Sequence, residues 1–229
     1  RLPAMLGDGA EDIWAMTFHA ACCRILRKYI DRMGYTSSFT IYDTSDSERL
    51  MKEILKDLGL DDKTFPPRYV LSIIGRQKDR LISPEQMLED SRGASDLRIV
   101  QIAKVYGIYQ KRLKDNNALD FDDILYVTVK LLQQDEEVRE FYQRKFHYVL
   151  VDEYQDTNHV QYLLTELLAG KRRNICVVGD DDQSIYRFRG ATIENILNFE
   201  EQYPGARAIR LEQNYRSTQS ILDAANAVI

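Results

Sequence analysis

Two apolar runs that each end in acids constrain this chain more than any other feature: HYVLVDEYQDTN at 147–158 and NICVVGDDDQSIYRFRGA at 174–191. Each opens as a short β-branched run without polar alternation, the pattern of a strand buried on both faces of a parallel sheet. Each then turns abruptly to carboxylates and amides. Between them Val160, Leu163, Leu164, Leu167 and Leu168 recur at helical spacing, so residues 147–179 read as one β-α-β unit. Open α/β sheets bind ligands at the carboxyl ends of their strands. Adjacent acids there, Asp152 with Glu153 and then Asp180 after Gly179, suit a hydrated Mg2+ ion and an activated water. An ordinary α/β core with acidic loops would explain either run alone. It does not explain both, the second followed by Gln183, Tyr186, Arg187, Phe188 and Arg189. The pair points to nucleotide chemistry.

The rest of the chain surrounds this unit with helices. Residues 13–16 and 207–211 read as further short strands, which with 147–152 and 174–179 are too few for two sheets. A helix carrying Cys22, Ile25, Leu26, Tyr29, Ile30 and Met33 on one face follows the first strand. FTIYD (39–43) is a brief extended segment. Ser45 with Glu48 makes a capping box for a helix burying Leu50, Met51, Ile54, Leu55 and Leu58. Pro66-Pro67 opens a helix to about Leu81, Ser83-Pro84 a short one, and Ile99 to Leu113 mark a long one. Asp120 caps the next. Residues 34–115 are thus an all-helical block inside an α/β pattern.

Composition sets outer limits. With 44% hydrophobic and 29% charged residues, the 229-residue chain has the makeup of an ordinary globular protein. It has no long apolar run to span a membrane and no signal-peptide pattern. Cys22, Cys23 and Cys176 suit neither a disulfide framework nor zinc, which favours a reducing, cytoplasmic setting. The net charge of -5 argues against a protein that simply coats nucleic acid, though not against local contacts. The basic clusters Arg24/Arg27/Lys28/Arg32, Arg76/Lys78/Arg80 and Lys111/Arg112/Lys114 read either as such contacts or as solvated helix faces.

DEYQDTN, GDDDQSIYRFRGA and QNYRS (213–217) resemble successive motifs of superfamily 1 DNA helicases of the UvrD/Rep/PcrA type. TFHAACCRIL (17–26) and LDFDD (119–123) match that family's pattern too, so the resemblance touches both ends of the chain. It implies a partial P-loop NTPase (RecA-like) α/β motor domain, residues 1–33 and 116–229, with residues 34–115 as an all-helical inserted subdomain. It implies ATP and Mg2+ as cofactors, and single-stranded and duplex DNA as partners. Asp152 would hold Mg2+, and Glu153 would take a proton from the attacking water. Gln183 would bond a γ-phosphate oxygen and that water, Arg216 the γ-phosphate, and Tyr215 the adenine face. Thr17, Phe18 and His19, ending the first strand, would touch single-stranded DNA, as would Tyr186, Phe188 and Arg189. The family usually carries tryptophan where this chain has Phe188.

Several of these residues also have plainer readings. Gln155 and Asp156 would orient neighbours, while Asp156-Thr157-Asn158 is better read as the N-cap of the helix beginning near Val160. Asp120, Asp122 and Asp123 have the look of a metal cluster, yet a helix start makes capping the better reading. His19 alone would be a structural hydrogen bonder, and the aromatics of 186–188 core packing.

No G-x-x-x-x-G-K-[ST] phosphate loop occurs in the sequence. A start at Arg1 and an end at Ile229, inside a helical pattern, fit a piece of a longer helicase. The rival readings are a catalytically silent DNA-binding or partner-docking module, and the helicase subunit of a nuclease-linked recombination complex. The 229-residue chain by itself is expected not to hydrolyse ATP. Phosphate release by the purified chain that Glu153→Gln abolishes would contradict this.

Overall fold

The computed structural model describes residue 7 and residues 12–93, 95–180, 183, 194–211 and 213–227. Helix α1 (Phe18–Tyr29) starts at Thr17, whose Oγ1 accepts from the Ala20 amide at 3.3 Å. It buries Cys22, Ile25 and Leu26, and burial pushes the Cys22 thiol up to about 12. A single turn of 3-10 helix (Ile30–Met33) then ends at Gly34, which takes a left-handed φ of 77°.

Strand β1 (Thr40–Ile41) leads into α2 (Thr44–Asp57). The cap of α2 is Asp43 with Asp46, one helical start earlier than the Ser45/Glu48 box expected from the sequence. Ser45 instead donates to Asp43 Oδ1 at 2.8 Å, and Glu48 pairs with Arg68 at 2.6 Å. Helices α3 (Pro67–Asp79), α4 (Pro84–Asp90) and α5 (Leu97–Asp115) follow, α3 and α4 each with proline in the first turn, where its missing N–H costs nothing. Strand β2 (Ala118–Leu119) pairs parallel with β1, Thr40 opposite Ala118 and Ile41 opposite Leu119. The chain therefore leaves the helical block beside the point where it entered.

Beyond β2 come α6 (Phe121–Gln134), α7 (Glu136–Lys145), β3 (Val149–Val151), α8 (His159–Ala169) and β4 (Ile175–Val177). Short helices α9 (Glu194–Leu197) and α10 (Phe199–Gln202), and then α11 (Gln219–Asn226), complete the described elements. β3 and β4 pair parallel across α8, Val149 with Ile175 and Val151 with Val177, as the β-α-β reading requires. Residues 13–16 and 207–211 are not strands. A strand needs a neighbour to take its N–H and C=O groups, and among the described residues neither segment joins a ladder. Trp14 packs edge-on against Tyr142 and Phe146 instead, under the Arg24 guanidinium at 4.4 Å. Ile209 and Leu211 stand exposed. Among the described residues no helix is long and apolar enough to cross a membrane.

The apolar side chains gather into separate clusters. One joins α1, α6, α7 and α8 through residues such as Leu26, Leu131, Tyr142 and Leu164. The other joins α2 to α5 through Met51, Ile54, Val70, Ile102 and Tyr106. Between them sits a charged group. Lys78, at 1% exposure on α3, places Nζ 2.7 Å from Asp120 Oδ2 and 2.8 Å from Asp123 Oδ1 at the start of α6. Tyr109 donates to Asp120 at 3.0 Å, and Gln110 to Asp123 at 2.7 Å. The two aspartates also form the capping box of α6, Asp123 N to Asp120 Oδ1 at 2.8 Å and Asp120 N to Asp123 Oδ2 at 3.1 Å.

The basic clusters are thus largely spent within the fold. Besides Lys78, Arg27 donates to the Ser37 and Phe39 carbonyls, both at 2.7 Å, and Arg32 pairs with Asp135 and Glu137. Lys111 pairs with Asp115, and Arg112 with Asp57.

Removing one partner of a buried ion cluster leaves uncompensated charge, so Lys78→Met should cost roughly 3–5 kcal/mol in chemical denaturation. The pH dependence has a definite sign. Burial, and then the neighbouring Asp120 carboxylate, raise Asp123 to about 7. The folded state then keeps a proton that the unfolded chain releases near pH 4, so this contribution is full below about pH 4 and is lost as pH rises through about 7. Asp120 goes the other way: burial raises it, but the Lys78 ammonium together with the hydrogen bonds from Lys78, the Asp123 amide and Tyr109 outweighs burial and holds it below the usual carboxylate range, so its contribution is lost only in stronger acid. Asp123→Asn should flatten the decline in stability between about pH 4 and 7. An unchanged slope in that variant would contradict the assignment.

Candidate nucleotide site at the strand ends

Strand β3 delivers Asp152 and Glu153 to solvent at its carboxyl end. Glu153 adopts a left-handed backbone, φ 52° and ψ 45°, a region that non-glycine residues seldom occupy and that concentrates at functional sites. The turn is held by the strand pairing continuing past the strands themselves. Val178 N donates to Val151 O at 2.8 Å, and Tyr154 N to Val178 O at 2.9 Å. A 3-10 turn (Tyr154–Asp156) follows, with Tyr154 buried against the edge of Phe199. Asn158 then caps α8 in a capping box with Gln161, as the sequence implied.

A continuous series of hydrogen bonds runs across the two strand ends. Gln155, buried at 1% exposure, donates from Nε2 to Glu153 Oε2 at 2.8 Å and accepts at Oε1 from Asp180 N at 3.0 Å. Asp180 Oδ2 in turn accepts from Gln183 Nε2 at 2.6 Å. The structure thereby brings Glu153 and Gln183 into one network, joined through Gln155 and Asp180. Asp152 is adjacent, its Oδ1 accepting from Glu153 N at 3.0 Å. Gly179 makes the crossing possible: a Cβ there would lie 2.6 Å from Gln155 Oε1 and 2.8 Å from Ile196 Cδ1. Sequence reasoning gave Gln155 only a general orienting role and gave Gly179 none. The available signal was a glycine between an apolar strand and an acid, facing an amide one motif earlier.

The other expected residues fall elsewhere. Thr17, Phe18 and His19 do not end a strand; they begin α1, with Thr17 as its cap. Phe18 packs against the first apolar cluster, and the His19 ring stacks on Phe121 with centroids 3.8 Å apart and planes at 20°. A cap serves the first turn's orphan N–H groups better than a strand end without a partner strand would. Tyr215 and Arg216 lie in a turn built by Asn214 Oδ1, which accepts from the amides of Arg216 at 2.8 Å and Ser217 at 2.9 Å. Tyr215 is 93% exposed, and among the described residues no hydrogen bond or ion pair joins this turn to the strand ends. Tyr186, Phe188 and Arg189 lie outside the described residues.

Chemically, the strand ends offer an exposed carboxylate, Glu153, with one oxygen occupied by an amide and the other open to a water proton. They also offer a neutral amide, Gln183, and hard oxygen donors at Asp152 and Asp180. Among the described residues no cluster of three or more ligating side chains forms a closed metal cage. A magnesium ion is usually held by one or two carboxylates together with water and substrate phosphates, and the Asp152 and Asp180 carboxylates are donors of that chemistry.

Known proteins resemble this chain over its whole length. Residues 1–204 match the family described as UvrD/REP helicase N-terminal domain. The chain is 53% identical over 229 residues to the ATP-dependent DNA helicase PcrA of Bacillus subtilis, which covers all of this chain and 31% of that protein. It is 50% identical to the PcrA helicase of Staphylococcus aureus and 49% to that of Staphylococcus epidermidis, with the same coverage. The chain thus spans about a third of the length of these relatives.

Gly179→Ala should push the Gln155 amide out of register and destabilise the fold by roughly 1–3 kcal/mol, as overpacking does. Gly107→Ala is the control. Its Cβ would meet only Pro84 Cβ at 3.9 Å inside α5, so it should be neutral or stabilising. Equal denaturation midpoints for the two variants would contradict the close approach.

Proposed function

This chain belongs to the UvrD/REP helicase N-terminal domain family, and from that premise we propose that the protein containing it hydrolyses ATP to move along one DNA strand and displace the other. On this reading the motor works with 3′-to-5′ polarity in DNA repair or replication, in the cytoplasm. Residues 1–33 and 116–229 form part of the RecA-like motor domain, and residues 34–115 its helical insertion. The separate apolar core of α2 to α5, and the parallel pairing of β1 with β2 at its base, support that division.

The observation that carries the proposal is the hydrogen-bonded series Glu153–Gln155–Asp180–Gln183 at the strand ends. Glu153 takes the proton from the attacking water with the oxygen that Gln155 leaves open. Gln183, neutral at every pH, bonds that water and a γ-phosphate oxygen. Asp152 would hold Mg2+, through water, with the Oδ2 left over from its bond to Glu153 N. The ion, when bound, neutralises charge on the phosphate oxygens. Arg216 offers a planar fork to the γ-phosphate and Tyr215 a ring to the adenine, from an exposed turn that is free to meet a ligand.

On the DNA side, Tyr186 and Phe188 stack on bases and Arg189 meets the backbone, each contact of an aromatic ring with a base contributing roughly 1–3 kcal/mol. Thr17, Phe18 and His19 touch single-stranded DNA as well, the stacked His19 and Phe121 rings offering it a partly exposed aromatic face.

In the full-length protein, Glu153→Gln should lower ATP turnover by about a hundredfold or more while ATP affinity stays near wild type. The variant keeps the shape and removes the proton acceptor, so the loss falls on the transition state. Phosphate release and equilibrium nucleotide binding, measured on the same samples, check this. Hydrolysis near the wild-type rate, or affinity lost in step with rate, would sink the assignment.

A further inference from the structure

We infer that Gln155 is a positioning residue for ATP hydrolysis, fixing the proton acceptor Glu153 against the water-orienting Gln183. The inference rests on the reading of Glu153 given above. Gln155 joins the two strand ends through its side-chain amide. Its two ends are used in opposite senses, donating at 2.8 Å to the Glu153 carboxylate and accepting at 3.0 Å from the Asp180 amide. A buried amide is tolerated only when both ends find partners, and here each partner belongs to a different strand end.

Few side chains meet those demands. Glutamate would set an oxygen against the Glu153 carboxylate, and asparagine is one methylene too short to span the same gap. Gly179 gives up its Cβ to the Gln155 oxygen, so the backbone of one strand end is shaped around the amide of the other. Glu153 has little freedom to aim itself, since its backbone is held at φ 52° in the tight turn. The Gln155 bond then selects which carboxylate oxygen faces inward and which is left for water. On the far side, Asp180 passes the constraint to Gln183 through a 2.6 Å bond. The acceptor and the amide that must hold one water between them are therefore spaced by one buried amide and the Asp180 carboxylate. A misplacement of about 1 Å in such an arrangement costs on the order of a hundredfold in rate.

The test uses the full-length protein at saturating single-stranded DNA. Gln155→Met keeps length and volume but loses both hydrogen bonds. It should lower kcat about tenfold to a hundredfold with KM for ATP and nucleotide affinity within about twofold. Gln155→Glu, which keeps the acceptor for Asp180 N and loses the donor to Glu153, should lower kcat similarly and serves if the methionine variant folds poorly. Because Gln155 acts largely through Glu153, adding Gln155→Met to Glu153→Gln should lower the residual rate by much less than the product of the two single losses. Thermal stability is followed on every sample. A wild-type kcat in the folded fraction of both Gln155 variants, or a full multiplicative loss in the double variant, would overturn the inference and leave Gln155 a structural amide. If Glu153→Gln itself turns over normally, the underlying reading of Glu153 fails instead, and the single-variant data distinguish the two cases.

Discussion

Lys78 carries its charge into a place with almost no water, and the carboxylates that meet it, Asp120 and Asp123, belong to the other side of a joint between two apolar cores. Isolated, an ammonium there would cost several kcal/mol in lost hydration. It is tolerated because Tyr109, Gln110 and the reciprocal backbone amides of the aspartates complete the hydrogen bonding around it. Such a cluster adds little net stability compared with well-packed apolar side chains. Its effect is directional: α3 and α6 satisfy the charge in one relative arrangement, so the helical block is set on the rest of the fold at a defined angle.

The same end of α3 reaches the strand-end site. Asp79, next to Lys78, accepts from Asn158 Nδ2 at 2.8 Å, and Asn158 caps α8 just after the turn that presents Asp152 and Glu153. Thr157, beside it, is held by Asn195 through its carbonyl at 3.0 Å and its hydroxyl at 3.2 Å. The strained turn at Glu153 is thus braced on one flank by the helical block, on another by α9, and across the sheet by Gln155 and Gly179. Catalytic groups need this kind of support, since geometry rather than group identity decides how much they contribute.

Much of this could be read before any coordinates, and the parts that could not share a physical cause. The β-α-β unit was visible because apolar runs and helical periodicity are local. So were the caps at Asp120 and Asn158, which depend on residues three apart. The short apolar runs at 13–16 and 207–211 suggest strands, but strand formation requires a partner elsewhere in the chain, and short apolar runs do not announce one. Lys78 looked like part of a basic helix face with Arg76 and Arg80. Its spacing from Val70 and Ile74 already placed it on the buried stripe of α3, but the charge masked the pattern. Thr17 to His19 follow a short apolar run that suggests a strand, whereas they open a helix. The role of Gln155 was hidden for the same reason as that of Lys78: its partner lies 25 residues away, across a sheet.

The reading of this chain as part of an ATP-driven DNA motor is tested most directly by phosphate release from the wild-type full-length protein, measured with and without single-stranded DNA. The account predicts hydrolysis of ATP that single-stranded DNA accelerates. Tight binding of single-stranded DNA with no ATP hydrolysis in either condition would contradict it, and would leave the strand-end acids as a relic on a DNA-binding module.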